Sequence, residues 1–555
     1  MVRDIQNRRQ ANQQSQSERD HLGEAFRLLR QYIDLEPKKA DRQIAFHLNR
    51  WSESITPGKA APPELLKSIR DLMTSEQFAD RVSSAKFQPS DAEHLRDCYL
   101  FHQLFNWVDV PIHDEHLLTD WLKDQEKTLG AEPVETLRSA SRLFDWTVRN
   151  IALEPNVPST PAPPGPTFPF EMVFQGPGYR QSNYQTVMRG IGDGLQRAGV
   201  FTQLCRQAGI PAAVIGTIDS TTGNVAPFCV GVLAGDEIYL FEPTLGIFVP
   251  GPDQVGIATL SQARRDAVIL RRLGIAGLDK FTYPVTKEDA QQCAALLNLK
   301  PEAVSPRMQQ LQSGLTGDRR MNVYVDADAL AAKFDAVTGI SNVQIWRVPL
   351  LAEIYRERCD DHAQRDPLFM FWYLARWAML DADFEMAKKL ARGRWQHLTG
   401  QFSDIEEEGI EGARTLYLEQ RAPEFEIEDL RIDVELQKSY GIRRELGIDA
   451  ETYDKQVSQI QDLMRMGKRT ATYWLSLLQA DDDRLDTAEG WIQKRVLDEE
   501  QQSFWVPPAR YNLARLAEAL GDTERAIELY KREGEPQEHG NRIRARLLAK
   551  QTDDE

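Results

Sequence analysis

The chain has 555 residues, 41% of them hydrophobic and 9% aromatic, enough apolar material to fill folded cores over about three or four units of ordinary domain size. Its 67 Lys and Arg against 84 Asp and Glu leave a formal charge of −17, which argues against nucleic acid and anionic membrane surfaces as partners. No run approaches the ~18 apolar residues of a membrane span, and the opening MVRDIQNRRQANQQSQSERD lacks the apolar stretch of a signal peptide, so the chain as written reads as soluble and cytoplasmic unless an upstream leader exports or tethers it.

Residues 1–20 carry almost nothing apolar and read as a mobile polar arm. From 21 to 130 apolar residues recur at helical spacing, as in Leu22, Phe26, Leu29 and Ile33, then Leu65, Ile69, Leu72 and Phe78, with breaks such as TPGKAAPPE. Within this helical region His113-Asp-Glu-His116 places two imidazoles and two carboxylates together, a weak metal candidate. With no third or fourth ligand identifiable, it reads better as a solvated loop.

The next unit spans 131–285. A helix is expected over 140–153, ASRLFDWTVRNIAL, followed by the proline-rich LEPNVPSTPAPPGPTFPF, which suits only an extended connector. The texture changes between 185 and 260: a helix QRAGVFTQLCRQAG closed by Gly209 precedes three strand-like runs, AAVIGTI, PFCVGVL and EIYLFEP, joined by the hairpin-like turns DSTTGN and AGDE. One helix followed by an antiparallel meander is an α+β layer. GPGYR and GIGDG are glycine-rich but lack the preceding strand and the Lys-Ser/Thr of a phosphate loop. Residues 286–364 form a mixed connecting region with MNVYVDA as a strand candidate. Five scattered cysteines (Cys98, Cys205, Cys229, Cys293 and Cys359), with no CxxC pair, read as buried thiols.

From 365 to 555 the chain is helical and quasi-repetitive. In YNLARLAEALGDTERAIELYKR, Ala514 and Ala526 allow close helix approach while Leu513 and Tyr530 fill between. YWLSLLQADDDRLDTAEGWI repeats the pattern with Leu475 and Ala488, and YLARWAMLDADFEMAKKLARG with Leu374, Ala375 and Ala387. The last two units recur near the ~34-residue period of tetratricopeptide repeats, which the segment resembles. Asp481-Asp482-Asp483 lacks the spacing of a calcium loop and reads as a helix-connecting turn. The acidic SDIEEEGIEGARTLYLEQRAPEFEIED reads as a solvated face or a surface for a basic partner.

The run GDGLQRAGVFTQLCRQAGIPAAVIG, continued through a strand to EIYLFEPTLG, resembles the core of a transglutaminase-like, papain-related domain. Leu204, Arg206, Gly209, Ile210 and Pro211 match that family's helix end. Phe241, Glu242, Pro243, Thr244 and Gly246 match its closing turn, and LFDWTVRNIAL is similar to its opening helix. The resemblance implies a nucleophilic Cys at position 194, a His at 227 and a carboxylate at 242. The chain has Gly194, Pro227 and Glu242, so two of the three roles are empty. No histidine lies between His116 and His362. Cys205 and Cys229 are the fallback nucleophiles, with His113, His116 or His362 as bases brought in by folding.

The expectation is therefore an inactive transglutaminase-like domain within a mostly helical α+β chain, with no catalytic residues, cofactor or metal. Its function would be binding or scaffolding of a protein or peptide partner, possibly basic, in an oligomeric state the sequence leaves open. The alternative is an active Cys-dependent transglutaminase- or peptidase-type hydrolase with a non-standard site. The layout and the PARYNLARLAEALGD run also resemble large bacterial proteins, often exported.

Overall fold

The computed structural model describes residues 21–53, 63–154, 164–165, 181–374, 380, 385–421, 424–440, 442, 449–499 and 503–554. The polar arm, most of the TPGKAAPPE break, most of the proline-rich connector, GPGYR and Ala375 lie outside them. Prolines open the first two long helices at positions where a missing N–H costs nothing: α1 (Pro37–Ser52), capped by the Glu36 carboxylate, and α2 (Pro89–Val108), whose Asp91 returns a bond to the Gln88 N–H at 2.6 Å. α3 (Thr119–Leu129) follows, and α4 (Ala131–Asn150) packs on both α2 and α3. α4 begins earlier than the expected 140–153 helix and ends sooner. Ile151 turns extended, and β1 (Ala152–Leu153) pairs in parallel with β2 (Ile191–Gly192), which follows the short helix α5 (Asn183–Arg189).

Next comes α6 (Gly194–Gln207), buried along nearly its whole length. Gly209, at φ +74°, supplies the left-handed residue that ends it, and Asn322 Nδ2 donates to the freed Arg206 and Gln207 carbonyls at 2.9 and 3.0 Å. The chain then enters a meander of β3 (Ala212–Ile218), β4 (Val225–Ala234), β5 (Glu237–Glu242) and β6 (Ile247–Phe248). Two further strands complete the sheet, β7 (Cys293–Leu297) and β8 (Ile340–Ile345), in the order β6-β5-β4-β3-β7-β8. Every pair is antiparallel except β7 with β8. The boundary expected at 285 therefore cuts through the sheet.

MNVYVDA, expected as a strand, is extended but joins no sheet. Side chains take the place of a ladder: the Asn322 N–H donates to Gln207 Oε1 at 3.0 Å, and the Val323 and Tyr324 N–H groups share Gln312 Oε1 at 2.8 and 3.3 Å.

In the C-terminal region α7 (Glu385–Leu398), α8 (Ala413–Glu419), α9 (Ala450–Asp481), α10 (Leu485–Trp491), α11 (Val506–Ala519), α12 (Thr523–Tyr530) and α13 (Glu538–Asp554) each pack on the next in chain order. Ala387, Ala488, Ala514 and Ala526 are all buried where helices meet. Asp481 closes α9 and Asp483 takes φ +56°, so the three aspartates form the connecting turn.

These helices are sewn to the N-terminal half through buried charge. Arg515 reaches Asp145 of α4 at 2.7 Å, Arg544 reaches Glu115 at 2.7 Å, and Arg149 reaches Asp481 at 3.4 Å. Glu518 accepts from Tyr530 and Arg544, at 2.9 and 2.8 Å, so the network draws on several elements at once.

Candidate functional site

The α6 N-terminus is built by Asp193, whose carboxylate accepts the Gln196 N–H at 2.9 Å while the Gln196 side chain accepts the Asp193 N–H at the same distance. Gly194 follows directly and is buried. A β-carbon placed on it would stand 3.0 Å from Thr244 Cβ and 3.1 Å from Thr244 Cα, with Thr244 Oγ1 closer still. Thr244, in the turn after β5, occupies the space that any side chain at position 194 would need.

Glu242 ends β5 on the other side of that contact. Its carboxylate staples its own turn, accepting the Thr244 N–H at 3.3 Å and the Leu245 N–H, and the Gly246 N–H returns to its carbonyl at 2.8 Å. Burial raises its pKa to about 7, against the pull of these N–H groups and of Arg197. This carboxylate shapes its own turn.

Pro227 lies in β4 opposite Gly216, at a register shift where Ile215 pairs with Cys229 and Phe228 is left over. A proline inside a central strand is accommodated at such a bulge, where the ladder is already interrupted.

Arg197, one turn into α6, is the residue the sequence reading missed. Its guanidinium is buried and makes bonds to the Ile151 carbonyl at 2.7 and 2.9 Å, to Val148 and Pro243 carbonyls at 3.2 Å, and to Gln537 Oε1 at 2.7 Å. Burial lowers its pKa to about 10, which still leaves it cationic near neutral pH. It ties the end of α4, the closing turn and the start of the last helix to one point. A β-carbon on Gly540 would stand 2.6 Å from the Leu245 carbonyl carbon, so the C-terminal segment lies directly over the turn that carries Glu242. Nothing local in the sequence signals this cover, because Leu245 and Gly540 are far apart in the chain.

The fallback residues are not brought together. Cys205 is fully buried in α6, and burial pushes its thiol far above the ordinary range; Cys229, buried in β4, is raised in the same way, with Cys293 and Glu242 adding to the effect. His113 and His116 lie in a different place, lining a cavity of about 120 Å³ with Asp145, Arg149 and Arg515 between the 111–118 segment and the C-terminal helices. His113 Nδ1 bonds the Val108 carbonyl at 2.8 Å. His362 Nε2 sits 3.1 Å from the Pro164 carbonyl and its ring packs on Phe369. Among the described residues no cluster of three or more His, Cys, Asp or Glu is placed to hold a metal ion. No helix among them is long and apolar enough to cross a membrane.

No family model, no curated protein and no solved structure matches the chain.

Proposed function

We propose that this protein is a non-enzymatic binding or scaffolding protein, built on a transglutaminase-like domain with an inactive site and a tetratricopeptide-like helical array. The observation that supports this reading is the contact of Gly194 with Thr244: the nucleophile's position is filled by the turn that should present the third catalytic group. Acyl transfer through this site needs a thiolate, a base to form it and an acid for the leaving amine; Gly194 offers no thiol and Pro227 no base, and the Glu242 carboxyl is engaged by the N–H groups of its own turn.

The partner is a basic polypeptide with apolar side chains. The chain carries a charge of −17, and Phe425, Ile432 and Val434 stand 66, 78 and 57% exposed among Glu424, Glu426, Glu428 and Asp433. Acidic ground around exposed apolar residues favours a cationic amphipathic segment, with affinity that weakens as salt rises.

The test is acyl-transfer and peptide-hydrolysis assays on wild type beside Cys205→Ser and Cys229→Ser, with titration of a Lys/Leu amphipathic peptide. Absence of turnover together with salt-sensitive peptide binding, weakened by Ile432→Glu, is expected. Turnover abolished by either serine change would replace this reading with a thiol hydrolase.

A further inference from the structure

α6 is buried along nearly its whole length, yet one side of it is polar. Gln196, Gly199 and Gln203 recur at i, i+3 and i+7 and so share a face. Gln203 is 4% exposed, and its carboxamide bonds no described residue. Gln196, 6% exposed, accepts the Asp193 N–H on Oε1 at 2.9 Å, and its Nε2 donates to no described residue. Gly199 between them makes room for a third amide. A β-carbon there would stand 3.3 Å from Asn183 Cγ, and the Asn183 carboxamide is likewise bonded to no described residue.

All three amides line one cavity of about 50 Å³ between α2, α5 and α6, and they open onto it, unlike the Trp346 indole N–H of the same wall, which is shut off from solvent. That volume admits about four waters, or one small molecule whose own groups replace them. The charges around it are matched within the protein. Asp97 is held by Arg96 at 2.6 Å and Lys300 at 2.7 Å, and its charge also acts on Arg206; Glu353 is held by Arg81 at 3.0 Å. Glu93 and Arg356, of opposite sign, stand half-buried in the lining. The unspent groups are therefore neutral carboxamides, each an acceptor oxygen beside a two-proton donor. A hydroxyl also donates and accepts, whereas a carboxylate only accepts and an ammonium only donates.

We propose that Gln196 and Gln203 of α6, with Asn183 of α5, form a binding site for a small neutral polyhydroxylated molecule, a free polyol or monosaccharide. Its hydroxyls take up the donors and acceptors that the fold leaves unused, and its lack of charge leaves the Asp97 and Glu353 ion pairs undisturbed. A peptide presents an extended backbone, which suits a groove rather than an enclosed cavity of this size. The site is separate from the contact of Gly194 with Thr244, and it stands whether or not position 194 is catalytic.

The test titrates the full chain with erythritol, myo-inositol and D-glucose by calorimetry, beside cyclohexanol, gluconate and acetyl-diglycine amide. At least one of the three polyhydroxylated probes is expected to bind, with the single alcohol, the acid and the peptide weaker by about tenfold or more. Gln203→Met, which keeps the length of the side chain and removes its amide, should weaken that probe by at least about tenfold. It should leave the ligand-free protein as stable as wild type, because Gln203 bonds nothing in the fold. A merely structural glutamine would show the reverse. Asn183→Ala, at a half-buried position, tests the same cavity from α5 and should weaken binding by a similar factor. The proposal is overturned if none of the three probes binds at tens of millimolar, or if cyclohexanol, gluconate or the peptide binds as tightly as the best of them. It is also overturned if either variant leaves binding unchanged, or if Gln203→Met destabilises the ligand-free protein.

Discussion

Arg544 Nη2 lies 2.7 Å from Glu115 Oε1, joining residues 429 positions apart in the chain. Both side chains are buried, and Arg544 is shared with Glu518. The C-terminal helices are thereby part of the same folded body as the N-terminal ones, and breaking a buried pair by removing one partner is far more costly than losing a surface bridge. Arg544→Met should lower unfolding free energy by about 3–5 kcal/mol, because Glu115 and Glu518 are left short of a counter-charge. Denaturant unfolding checks this, and a loss below about 1 kcal/mol would place the pair among inert surface contacts.

The same network sets the acid limit of stability. Burial would raise Glu518, but Arg544 and Arg515 outweigh it and bring its pKa down to about 2; Asp145 is lowered likewise by Arg515 and Arg149 against its own burial. Folded values below the unfolded ones mean that this stabilisation is complete above about pH 4.5 and is lost as pH falls toward 2. Unfolding midpoints should drop steeply over that window in wild type.

Glu242 works in the opposite direction. Its folded pKa of about 7 lies above the unfolded value near 4.5, so the folded state holds the extra proton and stability falls as pH rises from about 4.5 through 7. The loss is on the order of 3 kcal/mol when complete. Subtracting the stability profile of Glu242→Gln from that of wild type should expose this slope, and a flat difference between pH 5 and 8 would contradict it.

Gly194→Cys should fail for a steric reason before any chemical one. Overpacking against Thr244 costs about 1–3 kcal/mol, and Thr244→Gly, which vacates the contacted side chain, should recover part of it. A double-mutant cycle measures the coupling. Neither variant should gain acyl-transfer activity.

All five cysteines are buried and free, with Cys98 and Cys293 pushed up to about 12 and Cys359 to about 11 by burial. Iodoacetamide at pH 7 should leave the native protein unlabelled and modify all five thiols in denaturant. Rapid native labelling of Cys205 or Cys229 would revive the thiol-enzyme reading.

The local parts of the fold were legible. AAVIGTI, PFCVGVL and EIYLFEP fall in β3, β4 and β5, because short apolar runs rich in β-branched and aromatic residues between turn segments decide adjacent antiparallel pairs. β7 was not, since Cys-Ala-Ala-Leu-Leu carries no strand pattern and becomes a strand only between β3 and β8, both distant in sequence. MNVYVDA erred the other way: its alternation is strand-like, but Gln207 and Gln312 consume its N–H groups. That Gly194 and Pro227 themselves offer neither a nucleophile nor a base is legible from residue type alone. The Thr244 wall, the Arg197 tie and the Gln537 cover could not, because each is a meeting of remote segments.

The joining of Glu115 to Arg544 also bears on how the protein is made. A ribosome adding about 10 residues per second needs roughly 40 seconds to travel from Glu115 to Arg544, and for most of that interval Glu115 and Asp145 have emerged while Arg515 and Arg544 have not. The surface of α4 that later receives α11 must stay hydrated and open, so the nascent chain exposes Asp145 without Arg515 until α11 is released. A chain cut short before α11 would leave Asp145 without Arg515 permanently and be a marked target for chaperones and proteases.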